Sequence, residues 1–229
     1  MTTGDFDAVA FERQLQRYLP ELGLDLSAAQ CGALLAYWQL FLKWNAAYNL
    51  SAIREPRAIF YKHLVDSLVV VRYVQETRAR RVIDVGTGGG LPGIPLAICL
   101  PDCHFTLLDS AGKKMRFLFQ VKHALGLDNV ELAQTRVETW RPDQGYEIVI
   151  SRAFSSLKSF TRLCTHLLVP EGEFWAMKGQ WPEEELREME KHYIVRHNHQ
   201  LQVPGVDADR CLLIIQSTLS ESCSPVIAG

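Results

Sequence analysis

The sequence lacks closely spaced pairs of cysteine. Its six cysteines are scattered, with no C-x-x-C motif, at Cys31, Cys99, Cys103, Cys164, Cys211 and Cys223. Zinc sites and the disulfide frameworks of secreted proteins generally need such pairs. We therefore expect neither a bound metal nor disulfides, and a reducing, cytoplasmic environment.

Long apolar runs and a strong net charge are also missing. No run of about 18 uninterrupted apolar residues occurs, and Met1 to Asp7 lacks the basic-then-apolar order of a signal peptide. We therefore expect no membrane partner. The formal net charge is −2, so no global basic field indicates a nucleic-acid partner, although a local basic face remains compatible with one.

No Gly/Pro-rich linker divides the chain, but its pattern changes near Arg81. Residues 27–49 and 56–74 have helical spacing, with Ser27 as an N-cap, and strand and helix patterns alternate from Arg81 to residue 217. We predict an N-terminal helical extension over residues 1–80, packed on a core over residues 81–217. Residues 218–229 are Ser-rich and aperiodic, and we predict a disordered tail there.

The alternating region predicts an α/β fold with a mostly parallel sheet and helices on both faces. Its predicted strands are residues 82–85, 105–108, 130–133, 146–151, 173–177, 193–202 and 211–217. The last two are neighbours in the sequence and are expected to pair antiparallel. Ligands of such sheets bind beyond the carboxyl ends of the strands.

A glycine-rich turn follows the first predicted strand. An apolar run carries Asp84 near its end, four glycines follow at positions 86, 88, 89 and 90, and Pro92 marks the start of a helix. Glycines in such a turn let a ligand approach the backbone closely. The segment therefore predicts a site for a nucleotide-like cofactor.

Two cofactor classes fit this turn. Residues 88–93 satisfy the dinucleotide pattern G-x-G-x-x-G, with Asp109 near the expected acidic position. Asp84, Gly86 and Gly88 instead fit the S-adenosylmethionine loop of Rossmann-like methyltransferases. A pyrophosphate disfavours a nearby carboxylate, whereas the sulfonium and ammonium groups of S-adenosylmethionine favour one, and we therefore prefer the methyl donor.

Further donor contacts are expected at the ends of the next strands. Asp109 is placed to accept the ribose hydroxyls, and Val137 and Glu138 to contact adenine. Structural alternatives remain open, because Asp109 before Ser110 is also a reasonable helix cap. Asp84 is likewise a reasonable turn residue.

With these residues identified, the chain resembles one family from about Leu34 to Gln216. The motifs that carry the resemblance are, in order, Lys43-Trp44-Asn45, Tyr48-Asn49-Leu50, His63-Leu64-Val65-Asp66-Ser67, the turn from Ile83 to Leu96, Leu107-Leu108-Asp109-Ser110, Ser151-Arg152-Ala153-Phe154 and Lys178-Gly179. The chain is similar to the bacterial small-subunit ribosomal RNA guanine-N7 methyltransferases, also called glucose-inhibited division protein B. That family usually has proline where Gly89 stands.

The resemblance implies a class I methyltransferase fold and S-adenosylmethionine as cofactor. Its implied substrate is one guanine of 16S ribosomal RNA near the decoding site, methylated at N7, either in free RNA or within the small subunit. The cofactor contacts of the family fall on Gly86, Leu91, Val137, Glu138 and Arg152. We expect a monomer.

Guanine N7 has an in-plane lone pair and needs no deprotonation, so alignment can replace a general base. We therefore name no catalytic residue. Candidate RNA contacts are His63, Lys113, Lys114, Arg116 and Lys178. For His63 a structural hydrogen bond is the favoured alternative, and the basic residues after Asp109 equally fit a solvated helix face. A small-molecule or protein methyltransferase and a nicotinamide-dependent oxidoreductase remain the competing functions.

Overall fold

The computed structural model describes residues 6–152, 154 and 156–218. The predicted tail therefore lies outside the described residues from position 219 onward. Two long helices come first, α1 (Ala8–Leu22) and α2 (Ala28–Tyr48). Ser27 caps α2 and forms a capping box with Gln30, which confirms the predicted N-cap and satisfies backbone N–H groups of the first turn.

The single helix predicted over residues 56–74 is wrong in its continuity. The chain forms α3 (Pro56–Ile59), a π-helical turn (Phe60–Val65), α4 (Asp66–Leu68) and α5 (Val71–Thr77). Buried apolar residues occur on all sides of this segment, so their spacing could not locate its breaks. The wider π turn, in which the backbone N–H of Asp66 donates to the carbonyl of Tyr61, sets the position of Asp66.

Seven strands of the described chain form one sheet in the order β3-β2-β1-β4-β5-β7-β6. Their bounds are β1 (Arg81–Val85), β2 (His104–Leu108), β3 (Val130–Ala133), β4 (Tyr146–Ser151), β5 (Leu168–Lys178), β6 (Tyr193–Gln200) and β7 (Cys211–Ser217). Strands β1 to β5 pair in parallel, and β7 is antiparallel to both β5 and β6. The predicted seven-stranded, mostly parallel sheet and its closing antiparallel pair are confirmed.

The remaining helices are α6 (Gly93–Cys99), α7 (Gly112–Leu125), α8 (Leu157–Cys164) and α9 (Glu183–Glu188). Buried residues of α1, α2, α6 and α7 form one apolar cluster with alternate side chains of the strands, including Phe11, Trp38, Leu96 and Phe117. Those of α8 form a second cluster with the other strand side chains, including Phe160 and Phe174. The sheet is therefore covered on both sides, as predicted.

The strand order reverses beside β1, which places the ends of β1 and β4 at the topological switch point where open α/β sheets bind ligands. Among the residues that the structure describes, no helix combines the length and apolarity needed to cross a membrane. The same residues contain no group of three or more histidine, cysteine, aspartate or glutamate side chains arranged to hold a metal ion.

Candidate functional site

The glycine turn after β1 has a left-handed backbone at three positions. Gly86, Gly88 and Gly90 have φ of 71°, 61° and 86°, values that residues with a side chain rarely adopt. The backbone N–H groups of Gly86 and Thr87 both donate to the carbonyl of Leu108 at the end of β2. The turn is therefore fixed against the neighbouring strand.

Asp84 supports this turn from below. Its Oδ2 accepts from the Thr87 hydroxyl at 2.7 Å and from the Gly93 backbone N–H at 2.9 Å. Burial raises the pKa of Asp84 to about 6, because the charged carboxylate loses its hydration. Asp84 is 1% exposed and lines neither of the two cavities described below. Its geometry fits the turn-residue alternative, and a direct donor contact stays a prediction.

Helix α2 holds the turn from the other side. The buried Tyr37 hydroxyl donates to the carbonyl of Gly89 at 2.7 Å. A Cβ atom at Gly89 would lie 2.5 Å from Cε2 of Phe41, closer than any normal contact. Glycine at this position is thus matched to the aromatic ring that packs on it.

A cavity of about 300 Å³ opens beside the turn, over the ends of β1, β2 and β3. Its lining includes the predicted donor contacts Gly86, Asp109, Val137 and Glu138, together with the apolar Leu108. The structure therefore brings these predicted residues together. The cavity combines apolar walls with one buried carboxylate.

Asp109 also has structural partners. Its Oδ1 accepts from the Ala111 backbone N–H at 2.8 Å, just before α7, and its Oδ2 accepts from Gly88 N–H at 3.0 Å. Lys114 contacts Oδ2 at 3.4 Å. Each carboxylate oxygen has two lone-pair directions, so these contacts leave one direction, on Oδ1, for a ribose hydroxyl. The capping alternative and the ligand role are compatible here.

A second cavity, of about 530 Å³, lies on the other side of Gly86. Its lining includes the predicted residues Gly88, Leu91 and Arg152, together with His63 and Lys178. Gly86 lines both cavities and forms their common boundary. A ligand that crosses Gly86 would occupy both.

His63 is held by hydrogen bonds inside this larger cavity. Its Nε2 lies 2.7 Å from the Ser51 hydroxyl, and its Nδ1 lies 3.1 Å from the carbonyl of Lys62. Burial and the positive charge of Arg152 lower its pKa to about 4. The imidazole is therefore neutral at pH 7, and its bonding matches the structural alternative predicted for it.

Sequence reasoning missed two residues of this cavity as site residues, Asp66 and Arg210. Asp66 Oδ2 accepts from Arg152 Nη1 at 2.9 Å, and Asp66 Oδ1 accepts from Arg210 Nε at 2.8 Å. Arg210 belongs to no motif, but it directly precedes β7. Strand β7 runs antiparallel to β5, so Cys211, the first residue of β7, pairs with Lys178 at the ligand edge of the sheet. Arg210, the residue before Cys211, therefore lies at that edge too, and this topology could have indicated it.

The other predicted RNA contacts are dispersed. Lys178 Nζ lies 2.7 Å from Glu185 Oε2 and donates to the carbonyl of Phe154 at 3.2 Å, so its charge is already paired. Lys114 contacts Asp109, as described above. Lys113 and Arg116 are exposed on α7 and line neither cavity. Their RNA roles stay predictions.

Solved structures that resemble this chain include methyltransferases. The glycopeptide N-methyltransferase MtfA matches 71% of this chain and 99% of its own with a TM-score of 0.57 and 12% sequence identity. Its complex with S-adenosylmethionine matches 64% of this chain and 86% of its own with a TM-score of 0.54 and 12% identity. These likenesses confirm the predicted class I methyltransferase fold. The antiparallel β7 also distinguishes the sheet from the dinucleotide-binding strand order.

Sequence comparison gives a more specific result. A protein named ribosomal RNA small subunit methyltransferase G from Saccharophagus degradans is 55% identical over 89% of this chain and 90% of its own length. A protein of the same name from Salmonella arizonae is 47% identical over 89% of this chain and 97% of its own. The model of the family described as rRNA small subunit methyltransferase G matches residues 30–214. The chain therefore belongs to the rRNA small subunit methyltransferase G family, as its motifs predicted.

Proposed function

We propose that this protein transfers a methyl group from S-adenosylmethionine to N7 of one guanine in 16S ribosomal RNA, in the cytoplasm. Family membership supports the methyltransferase class and small-subunit rRNA as substrate. The same membership disfavours the nicotinamide-dependent and protein-directed alternatives. The choice of N7 rests on the resemblance and on the chemistry below.

The observation that carries the proposal is the pair of cavities that meet at Gly86. The smaller cavity suits adenosine, with Asp109 for the ribose hydroxyls and Leu108 and Val137 as apolar contacts for adenine. Gly86, at φ 71° and without a side chain, lets the ligand continue past the backbone. The methionine half then lies at the larger cavity, beside the place for the acceptor.

The residues of the larger cavity fit a reaction without a general base. S-adenosylmethionine supplies a methyl group on a positively charged sulfonium, and guanine N7 already carries the attacking lone pair. His63 is neutral and bonded to Ser51, so the chain holds it as a structural group. The contribution of the chain is then the alignment of donor and acceptor.

The larger cavity also suits an extruded guanine and the RNA backbone. Enzymes that modify a base usually take it out of the stack into a pocket, and a volume of about 530 Å³ is ample for one purine. Lys62, Arg152 and Arg210 line the same space and provide positive charge for RNA phosphates.

Methyl transfer from radiolabelled donor tests the proposal. The purified protein is incubated in parallel with small ribosomal subunits, deproteinised 16S RNA and total cell protein. We expect label in RNA in at least one of the first two reactions. Label in protein alone would overturn the proposal.

A further inference from the structure

Asp66 joins three segments that are far apart in the sequence. It lies in the interrupted helical segment before β1, whereas Arg152 follows β4 and Arg210 precedes β7. The two guanidinium groups bind different oxygens of the one carboxylate, at 2.9 and 2.8 Å. All three residues line the larger cavity.

The exposed fraction of the side chain is 6% for Asp66, 21% for Arg152 and 24% for Arg210. Burying a charged group is costly, and a buried ionic cluster contributes little net stability compared with apolar packing. This cluster faces a cavity at the ligand edge of the sheet, so its arrangement bears on what the cavity binds.

Asp66 accepts hydrogen bonds from only one nitrogen of each guanidinium group. Arg152 uses Nη1, and Arg210 uses Nε, with its Nη1 donating to the carbonyl of Asp209. The other donors of the two guanidinium groups have no partner among residues 6–152, 154 and 156–218. The cluster carries one net positive charge, and arginine forks are suited to oxyanions.

We propose that Asp66 is a positioning residue that holds Arg152 and Arg210 together as one oxyanion-binding pair. The proposal rests on the proposed function for its ligands, which are the carboxylate of the methyl donor or a phosphate of the RNA. In either case Asp66 acts through the arginines and does not touch the ligand.

Whether Asp66→Asn raises or lowers the affinity for an anion distinguishes a positioning role from simple electrostatics. Asp66→Asn removes a negative charge from the cavity wall, so Coulomb attraction alone predicts tighter binding of an anion. An amide has one acceptor oxygen, and its NH₂ group faces the other guanidinium. Loss of positioning therefore predicts weaker binding although the cavity becomes more positive.

The experiment measures binding and needs no catalysis. Calorimetry gives the affinity of the wild type and of Asp66→Asn for S-adenosylhomocysteine, which has the carboxylate, and for methylthioadenosine, which lacks it. Fluorescence anisotropy gives their affinity for a labelled 16S RNA hairpin. If the oxyanion is the donor carboxylate, we expect Asp66→Asn to bind S-adenosylhomocysteine about tenfold or more weakly. If it is a phosphate, we expect the same loss of affinity for the RNA hairpin. The affinity for methylthioadenosine should be unchanged in both cases.

The exposed Asp128, before β3 at the opposite edge of the sheet, offers the matched control Asp128→Asn, which should leave all three affinities unchanged. If Asp66→Asn does not fold, Arg210→Lys keeps the charge but removes the guanidinium fork, and it should show the same loss. Unchanged or tighter binding of both S-adenosylhomocysteine and RNA, or an equal loss for methylthioadenosine, would overturn the inference. A wild type that binds these ligands but labels no RNA would contradict the proposed function alone.

Discussion

The ring of Phe41 lies where a side chain at position 89 would have to stand. A Cβ atom on Gly89 would be 2.5 Å from Phe41 Cε2 and 3.3 Å from two further ring atoms. Here helix α2 fills that space with an aromatic ring, so residues 41 and 89 are coupled.

Gly89→Ala should destabilise the protein by about 1–3 kcal/mol, because the ring must move to admit the methyl group. The smaller side chain of Phe41→Leu should recover part of that loss, so the double variant should be more stable than the sum of the single effects predicts. Urea unfolding measures all three. Gly32→Ala in α2, where a Cβ meets nothing within 4 Å, is the control and should be neutral or stabilising.

Tyr37→Phe should lower the affinity for S-adenosylhomocysteine severalfold and the free energy of unfolding by about 1–2 kcal/mol. The reason is that the carbonyl of Gly89 loses its 2.7 Å hydrogen bond in a buried place. Calorimetry and urea unfolding provide the two measurements. Tyr18→Phe, whose hydroxyl lies 3.5 Å from that of Tyr61 and not at the turn, should leave donor affinity unchanged. Equal donor affinity in Tyr37→Phe would refute its role in holding the turn.

The couplings of Tyr37 and Phe41 to the turn show where sequence reasoning stopped. The strands after Arg81 were predictable, because short apolar runs alternate with helical patterns, and residues 130–133, 146–151 and 211–217 match their strands in full. The breaks in the helical segment between α3 and α5 were not predictable, because a segment that is buried on all sides has no polar face to mark its helical period. Contacts between α2 and the turn depend on packing that spacing alone does not specify.

Asp109→Asn should weaken binding of S-adenosylhomocysteine by roughly tenfold or more, because a charged acceptor of the ribose hydroxyls becomes neutral. The amide oxygen remains able to accept from Ala111 N–H, which makes Asn a milder change than Ala for the start of α7. Calorimetry measures the affinity, and urea unfolding should show a much smaller effect. Unchanged affinity would rule out the ribose role.

His63 should make the protein less stable as the pH falls. Its pKa is lowered to about 4 in the folded protein, whereas an unfolded histidine titrates near 6.5. As the pH falls, the unfolded chain binds the proton first. The contribution of neutral His63 to the free energy of unfolding, roughly 3 kcal/mol, is therefore complete above pH 6.5 and is lost toward pH 4. The stability difference between the wild type and His63→Gln should therefore grow from pH 4 to pH 7. A difference independent of pH would contradict the burial of a neutral imidazole.

Asp84 should have the opposite pH dependence. Its folded pKa is raised to about 6, whereas its ordinary value is 3.8, so the folded protein binds the proton more tightly. This contribution is complete below pH 3.8 and is lost as the pH rises through 6, by roughly 3 kcal/mol. The stability difference between the wild type and Asp84→Asn should thus shrink over that range. Plotted against pH, the stability differences between the wild type and His63→Gln and between the wild type and Asp84→Asn should have slopes of opposite sign.

The candidate site was predictable only where chemistry and motif coincided. Gly86, Asp109 and Val137 follow strand ends, and the topology of the sheet brings such ends together. Asp66 and Arg210 were not paired by sequence reasoning, because their partnership spans 144 positions. For Asp84 the motif predicted a ligand contact, which stays a prediction, and the structure adds its hydrogen bonds to Thr87 and Gly93 within the turn.

The identity of the methylated nucleoside tests the central claim most directly. Small subunits or 16S RNA from the labelling reaction are digested to nucleosides and separated by liquid chromatography with mass spectrometry. The account predicts 7-methylguanosine as the labelled product, at a single position. Label in any other nucleoside, or no label in RNA, would contradict it.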